Sequence, residues 1–271
     1  MSTFEKTYSG EEPVRVNKWL AQSGVCSRRE AEGLILAGSV LIDGETVEDA
    51  GRKILPGQTL RLTAGGSEAL AAKRTIMLNK PVGFVSGTPE DDQIPAVRLL
   101  TRENMVGKAA PVGSRDSLAP VGRLDQDSRG LLILSDDGTV AKGVIGPDAD
   151  LEKEYIVRVR GKITGTKMKL LRHGLELDDR KLKEARVTGI ADQTLRMVLR
   201  EGRNRQIRRM CDLVDLRVID LVRVRIGALK LGGLKEGCWK DLKPHELQAL
   251  LRNPTQDELR GKPKPQQGRT D

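Results

Sequence analysis

Residues 122–138, GRLDQDSRGLLILSDDG, place an arginine and several carboxylates directly before the apolar run LLILS. An apolar run of this length, bounded by polar residues, is typical of a buried strand. Asp125 therefore lies at the edge of the predicted core. A carboxylate there is dry enough to need a cationic partner and open enough on one side to meet a substrate.

Asp125 has three possible roles on these residues alone. It fits a carboxylate held ionised as a nucleophile or base, but a structural ion pair explains the same pattern. A divalent-metal site would need the oxygens of Asp125, Asp127, Asp136 and Asp137 to converge. The last two read more naturally as a turn after the strand, and the local pattern leaves the choice open.

Three later segments predict further strands of the same sheet. KEYIVRVRG at 153–161 alternates Tyr155, Val157 and Val159 with residues of the opposite face, and TLRMVLREG and LVRVRIGALKL again mix apolar residues with arginines. These patterns predict a sheet with one apolar and one basic face.

Residues 14–62 predict a small α/β unit. VRVNKWLAQSG has helical spacing, and Ser27 with Glu30 forms a capping box for a second helix that ends before Gly38. A hairpin around Asp43-Gly44 and a further strand complete the unit. Basic side chains remain on the polar side of its helices, and they fit either a solvated surface or an RNA contact; they are Arg15, Lys18, Arg28 and Arg29.

Composition sets the remaining boundaries. Residues 63–74 are small and lack an apolar face, which predicts a linker, and 253–271 are rich in Pro, Gln and Lys, which predicts a disordered tail. The larger domain then spans 75–252.

The charge balance favours a polyanionic partner. Lys and Arg number 47 against 38 Asp and Glu, which gives a formal charge of +9. Three scattered cysteines and two isolated histidines indicate neither a disulfide framework nor a metal site. No segment resembles an export signal or a membrane span. We expect a cytoplasmic monomer without a metal.

EGRNRQIRRMCDLV at 201–214 predicts a helix capped by Asn204. Ile207, Met210, Cys211 and Val214 share one face of it. The adjoining face gathers three guanidiniums, which need phosphates or a carboxylate to neutralise them; they belong to Arg205, Arg208 and Arg209.

LNKPVG, GRLDQDSRGLLILSDDG, EKEYIVRV, EGRNRQIRRM and LVRVRIG occur here in the order seen in bacterial ribosomal-RNA pseudouridine synthases of the RsuA type. The match covers nearly all of residues 75–243. The unit at 14–62 is similar to the S-four RNA-binding domain at the N-terminus of that family. The resemblance implies an α+β catalytic domain with a mostly antiparallel mixed sheet, preceded by a small α/β domain.

The resemblance also implies roles for individual residues. Asp125 would be the catalytic carboxylate, Arg208 would pair with it, and Tyr155 would stack on the flipped uracil and assist proton transfer. Leu221 would pack beneath the tyrosine, and Arg123 would help to hold the displaced strand. The further expected RNA contacts are Arg205, Arg209, Lys80, Arg15, Lys18, Arg28 and Arg29.

The expected reaction converts a uridine of ribosomal RNA, or of a pre-ribosomal particle, to pseudouridine without a cofactor. NRQIRRMC is most similar to the F-type enzymes of the large subunit. Two alternatives remain: a non-catalytic RNA-binding or ribosome-assembly factor on the same fold, and a metal-dependent nuclease. The stretch GKAAPVGSRDSLAP, within 103–120, is longer than the family needs and suggests a substrate-specific loop.

Overall fold

A computed structural model describes residues 4–90, 92–108, 110–113 and 117–259. Its N-terminal unit has two helices over a four-stranded sheet of order β1-β6-β3-β4, with β2 and β5 paired separately. The elements are β1 Glu5–Thr7, β2 Val14–Arg15, α1 Val16–Gln22, α2 Arg28–Leu36, β3 Val40–Ile42, β4 Glu45–Thr46, β5 Lys53–Ile54 and β6 Thr59–Leu62.

Local sequence signals account for this unit. Ser27 and Glu30 form the predicted reciprocal capping box at the start of α2. Asp43 and Gly44 both have positive φ, 51° and 90°, as a two-residue hairpin of type I′ requires. The two helices and the sheet enclose one apolar core that includes Trp19.

The predicted linker contains a helix, α3, Ala64–Ala71. The Thr63 hydroxyl accepts a hydrogen bond from the Gly66 amide at 3.1 Å and so caps it. Gly66 lies against Ser39 where a side chain would not fit, and Leu70 packs on the N-terminal core. The expectation of a structureless linker was wrong because the cap and this packing stabilise a short alanine-rich helix.

The larger unit is built on a nine-stranded sheet of order β15-β16-β12-β17-β11-β7-β19, with β10 paired to β11 and β18 to β17. Its elements are β7 Thr75–Lys80, β8 Phe84–Val85, β9 Ile94–Pro95, a 3₁₀ helix Ala96–Leu99, β10 Ala119–Val121, β11 Arg129–Ser135, α4 Gly138–Ile145, β12 Lys153–Arg160, α5 Gly165–Arg172, β13 Glu176–Leu177, β14 Arg180–Lys181, β15 Arg186–Ala191, β16 Thr194–Leu199, α6 Gln206–Asp212, β17 Arg217–Ile226, β18 Leu229–Lys230, β19 Trp239–Asp241 and α7 Pro244–Leu250.

The apolar run of β11 lies inside this sheet. Its residues 131–134 are fully buried because they alternate between two cores, one on each face of the sheet. β11 pairs in parallel with β17, and the other pairs of the nine-stranded sheet are antiparallel. The predicted α+β class with a mostly antiparallel mixed sheet is confirmed.

Part of the predicted disordered tail is also helical. α8 spans Gln256–Leu259. The Arg252 guanidinium donates two hydrogen bonds, of 2.7 and 2.8 Å, to the Glu258 carboxylate, and the Thr255 hydroxyl accepts one from the Glu258 amide. These contacts stabilise a single turn that composition alone does not reveal. Residues 260–271 lie outside the described part of the chain, as do 109 and 114–116 of the loop expected to be substrate-specific.

Among the described helices, none is both long enough and apolar enough to cross a bilayer.

Candidate active site

The loop that carries Asp125 connects β10 to β11 and is held on both sides by hydrogen bonds. The Leu124 amide donates to the Ser86 hydroxyl at 3.0 Å, and that hydroxyl donates to the Leu124 carbonyl at 2.9 Å. The Ser128 amide donates to the Asp125 carbonyl at 3.0 Å, which closes a turn. The Asp125 side chain, 25% exposed, is therefore presented from a fixed backbone.

Asp125 lines a cavity of about 560 Å³, large enough for a nucleotide. Tyr155 on β12 and Leu221 on β17 also line it and belong to the same buried cluster. Tyr155 lies opposite Arg223 in the β12–β17 ladder, and Leu221 lies opposite Val157, so Leu221 is the diagonal neighbour of Tyr155. The structure thus brings the predicted carboxylate, aromatic ring and aliphatic side chain together.

The cavity is strongly basic. Of the described residues that line it, two are carboxylates, Asp125 and Glu201, whereas seven are arginine or lysine. The seven are Arg123, Lys153, Lys183, Arg200, Arg203, Arg205 and Arg223. An excess of positive charge around one carboxylate suits a polyanionic substrate that must approach an ionised aspartate.

Helix α6 places its arginines differently from the prediction. Arg208 Nε lies 3.2 Å from Asp127 Oδ2, and its Nη2 donates to the Asp127 carbonyl at 2.7 Å. Arg205, not Arg208, approaches Asp125, with 3.8 Å from Nη1 to Oδ2. The predicted Arg208–Asp125 pair is wrong because the turn from Asp125 to Ser128 directs Asp127 toward α6.

The start of α6 also differs. Arg205, not Asn204, is the N-cap residue, in a left-handed conformation with φ of 47°. The Arg203 amide donates instead to the Gln206 side chain at 2.9 Å, and Gln206 is buried. This conformation turns the Arg205 guanidinium toward the Asp125 loop, where it donates to both oxygens of Asp127.

Asp127 and Asp178 neutralise the three arginines. Burial raises the pKa of Asp127, but the hydrogen bond from Arg205 and the charge of Arg208 outweigh it, so the net pKa is lowered. Arg209 donates to both oxygens of Asp178, at 2.6 and 3.0 Å, and is not among the residues that line the cavity. Arg209 is therefore engaged in an ion pair with the β13–β14 hairpin rather than positioned as the predicted RNA contact.

Lys80 is also misassigned as an RNA contact. Its side chain is fully buried, and its ammonium donates to the carbonyls of Pro81 and Phe84, each at 2.8 Å. Burial lowers its pKa to about 8, against the opposing field of Asp125 and Asp127. The period of β7 carries this side chain inward, where it fixes the loop that supports the Asp125 loop.

The arginines of β17 were expected on an exposed face and lie inside. Leu221, Arg223 and Arg225 alternate along the strand and are 5%, 3% and 1% exposed. Their shared parity with Leu221 was the signal that sequence reasoning missed. Lys153 also went unrecognised; burial, followed by the charge of Arg223, lowers its pKa.

Asp136 and Asp137 lie at the far end of β11 from Asp125 and Asp127. Seven strand residues separate the pairs, which is roughly 20 Å at the usual rise. The Asp137 side chain caps α4 by accepting from the Thr139 amide at 2.8 Å. The four carboxylates therefore do not converge as a metal site would require, and the turn reading of the second pair is confirmed.

The four basic residues predicted on the N-terminal unit, Arg15, Lys18, Arg28 and Arg29, are all exposed. Lys18 and Arg28 line a second cleft, of about 540 Å³, whose other wall is α4 and the segment after it. This cleft and the Asp125 cavity share residues 146, 147 and 149, so they are contiguous.

Direct contacts hold the two units together beside this cleft. The Gly138 amide at the start of α4 donates to Glu30 at 2.8 Å, Lys73 forms an ion pair with the same carboxylate, and Lys142 donates to the Ala21 carbonyl. Gly138 is packed so closely on Ser27 that no side chain would fit.

The comparisons agree with this arrangement. A family model described as RNA pseudouridylate synthase matches residues 74–213, and an S4 domain model matches residues 14–60. The chain is 35% identical over 253 residues to the dual-specificity RNA pseudouridine synthase RluF of Escherichia coli O157:H7, covering 93% of this chain and 83% of that protein.

Two further similarities extend along the chain. An uncharacterized RNA pseudouridine synthase of Aquifex aeolicus strain VF5 is 34% identical over 245 residues, covering 88% of this chain and 94% of that one. A crystal structure of a pseudouridylate synthase superimposes with a TM-score of 0.60 at 25% identity, covering 88% of this chain and 99% of that one. The chain belongs to the RNA pseudouridylate synthase family and carries an S4 domain at its N-terminal end.

Proposed function

We propose that the protein converts a specific uridine of ribosomal RNA, in the large subunit, to pseudouridine, with Asp125 as the catalytic carboxylate. The observation that carries the proposal is one cavity in which Asp125, the Tyr155 ring and Leu221 meet beneath a basic rim. The names of the curated relatives support an RNA substrate. The charge of +9 and the unpaired cysteines are consistent with a cytoplasmic monomer that acts on RNA.

The reaction requires a flipped nucleotide. A base within a helix cannot reach Asp125, so the uridine must be extruded at a cost of a few kcal/mol, which contacts to the backbone phosphates offset. Tyr155 supplies the aromatic face on which the uracil stacks, and Leu221 supports that ring. Arg123, exposed at the cavity, holds the strand left behind.

The chemistry rearranges bonds within one nucleotide. The C1′–N1 bond breaks, the uracil turns, C5 bonds to C1′, and the proton on C5 leaves, so no electron is gained or lost. Asp125 begins the reaction by attacking the sugar, by attacking the base or by removing a ribose proton. Arg205, 3.8 Å away, favours the ionised form that each route needs.

The N-terminal unit of residues 14–62 supplies affinity rather than chemistry in this proposal. Its exposed cations Lys18 and Arg28 line a cleft that is contiguous with the Asp125 cavity through residues 146–149. An RNA strand bound in that cleft reaches the catalytic cavity without leaving the protein surface.

Release of tritium from C5-labelled ribosomal RNA tests the function. We expect release without chain cleavage and in the presence of a chelator, and its loss in Asp125→Asn, which keeps shape but can serve as neither nucleophile nor base. RNA binding without release would indicate a non-catalytic assembly factor, and chelator-sensitive cleavage would indicate a nuclease. Turnover of Asp125→Asn within about tenfold of wild type, about 1.4 kcal/mol in barrier, would reassign Asp125 to a structural pair. Pseudouridine mapping with and without the protein then identifies the target.

A further inference from the structure

Two buried arginines of β17 differ in how their charge is balanced. Arg225 Nε donates to Glu154 at 2.8 Å, and its Nη2 lies 3.2 Å from Glu152. Arg223, two residues earlier, donates only to carbonyls: Nε to Leu131 at 2.8 Å and Nη1 to Arg123 at 3.1 Å. Its Nη2 is buried and has no partner among the described residues, and none of their carboxylates forms an ion pair with it.

An unbalanced buried guanidinium is costly to the fold. A buried charge normally has a counter-charge and a buried donor normally has an acceptor, because both lose water on burial. Arg225 satisfies both rules and Arg223 satisfies neither. Such a residue is expected where a ligand supplies the missing negative charge.

Arg223 is positioned to meet that ligand. It lines the same cavity as Asp125 and lies directly opposite Tyr155 in the β12–β17 ladder. At 3% exposure it lies at the bottom of the cavity, whereas Arg123 is exposed at the rim. Backbone phosphates stay at the rim when a nucleotide is flipped, so the base, and not a phosphate, enters far enough to meet Arg223.

We infer that Arg223 binds a carbonyl oxygen of the flipped uracil and stabilises the negative charge that the base acquires during the reaction. This inference rests on the proposed function. When the C1′–N1 bond breaks, its electron pair remains on the base and is shared with O2 and O4. If Asp125 instead adds to the base, the charge again moves to a carbonyl oxygen. C5 then bonds to C1′ and releases its proton, and the guanidinium is unchanged throughout.

Arg223→Gln and Arg223→Lys test the inference in single-turnover assays on RNA that carries either uridine or 5-fluorouridine at the target. Digestion and chromatography follow the loss of the N-linked nucleoside. Fluorine withdraws electrons and stabilises the base anion by itself, so this substrate depends less on Arg223. Arg217→Gln, an exposed change on the same strand, is the matched control.

We expect Arg223→Gln to react about 10²- to 10³-fold more slowly than wild type on uridine RNA, the effect of removing one preorganised donor. The half-saturating RNA concentration should stay within threefold, the defect should be at least tenfold smaller on 5-fluorouridine RNA, and Arg217→Gln should match wild type. Arg223→Lys should show a smaller loss with the same substrate dependence. It carries the test if the glutamine variant does not fold, because it keeps the charge.

An equal defect on both substrates would overturn the inference and show that Arg223 only holds the Asp125 loop through the Arg123 carbonyl. A raised half-saturating concentration with an unchanged rate would make it a phosphate contact, and unchanged kinetics would remove it from the reaction. Wild-type protein that leaves uridine intact would contradict the proposed function itself, whereas an active wild type with any of these results overturns only the inference about Arg223.

Discussion

Glu152→Gln should destabilise the fold in a way that depends on pH. The Glu152 side chain, 4% exposed, accepts two hydrogen bonds of 2.7 Å from Arg186 and is also reached by Arg200 and Arg225. The hydrogen bond from Arg186 is the main reason why its pKa falls from 4.5 to about 2. This network fixes the start of β12, directly before the residues that line the cavity.

The pKa shift sets the magnitude. A shift from 4.5 to about 2 corresponds to about 3 kcal/mol at 1.36 kcal/mol per unit. Because the folded-state pKa is the lower one, this stability is fully present above pH about 4.5 and is lost as the pH falls through about 2. Removing one partner of a buried ion pair costs a similar amount, about 3 to 5 kcal/mol.

Urea unfolding of wild type and Glu152→Gln, followed by circular dichroism at several pH values, measures the effect. We expect a loss of about 3 kcal/mol at pH 7 that shrinks to less than half by pH 3. Glu258→Gln is the matched control. Its pKa is also lowered to about 2, mainly by Arg252, but that pair lies on the surface, where screening limits the loss to below about 1 kcal/mol. A loss for Glu152→Gln that is below about 1 kcal/mol, or equal at pH 3 and pH 7, would refute the reasoning.

Three further changes test the site and its support. Tyr155→Phe should fold, bind RNA and slow turnover by about 10²-fold, the lower end for a positioned proton donor, whereas Tyr155→Leu should be slower still for lack of the ring; equal rates in tritium release would exclude the tyrosine from the site. Replacing Lys18 and Arg28 with Gln should leave the saturated rate unchanged and make the slope of log affinity against log salt shallower by roughly 0.7 to 0.9 per contact, as measured by anisotropy titrations; an unchanged slope would remove them from the RNA path. Gly130→Ala should cost about 1 to 3 kcal/mol in urea unfolding, since φ is 106° and a Cβ would lie 2.4 Å from a backbone oxygen of β17, whereas Gly189→Ala has open space and should change stability by less than about 0.5 kcal/mol; equal effects would contradict the strain argument.

Elements whose information is local could be predicted from the sequence. The capping box of Ser27 and Glu30, the Asp43-Gly44 turn and the buried run of β11 each depend on neighbouring residues and on periods of 3.6 or 2. The ordered motifs around Asp125 and Tyr155 identified the family. They could not show that α3 forms, because its stability also depends on packing against Ser39.

What the sequence by itself determined was the class of fold, the order of the motifs and the residues that meet in the cavity. Only the tertiary structure decided how the charges pair: Asp127 takes Arg205 and Arg208, and Lys80 and Arg223 lie inside without a carboxylate in contact. The physical reason is distance along the chain. Arg205 and Asp127 are 78 residues apart, so their contact follows from how β11 and α6 are placed on the sheet and from a single turn after Asp125, which no local pattern encodes.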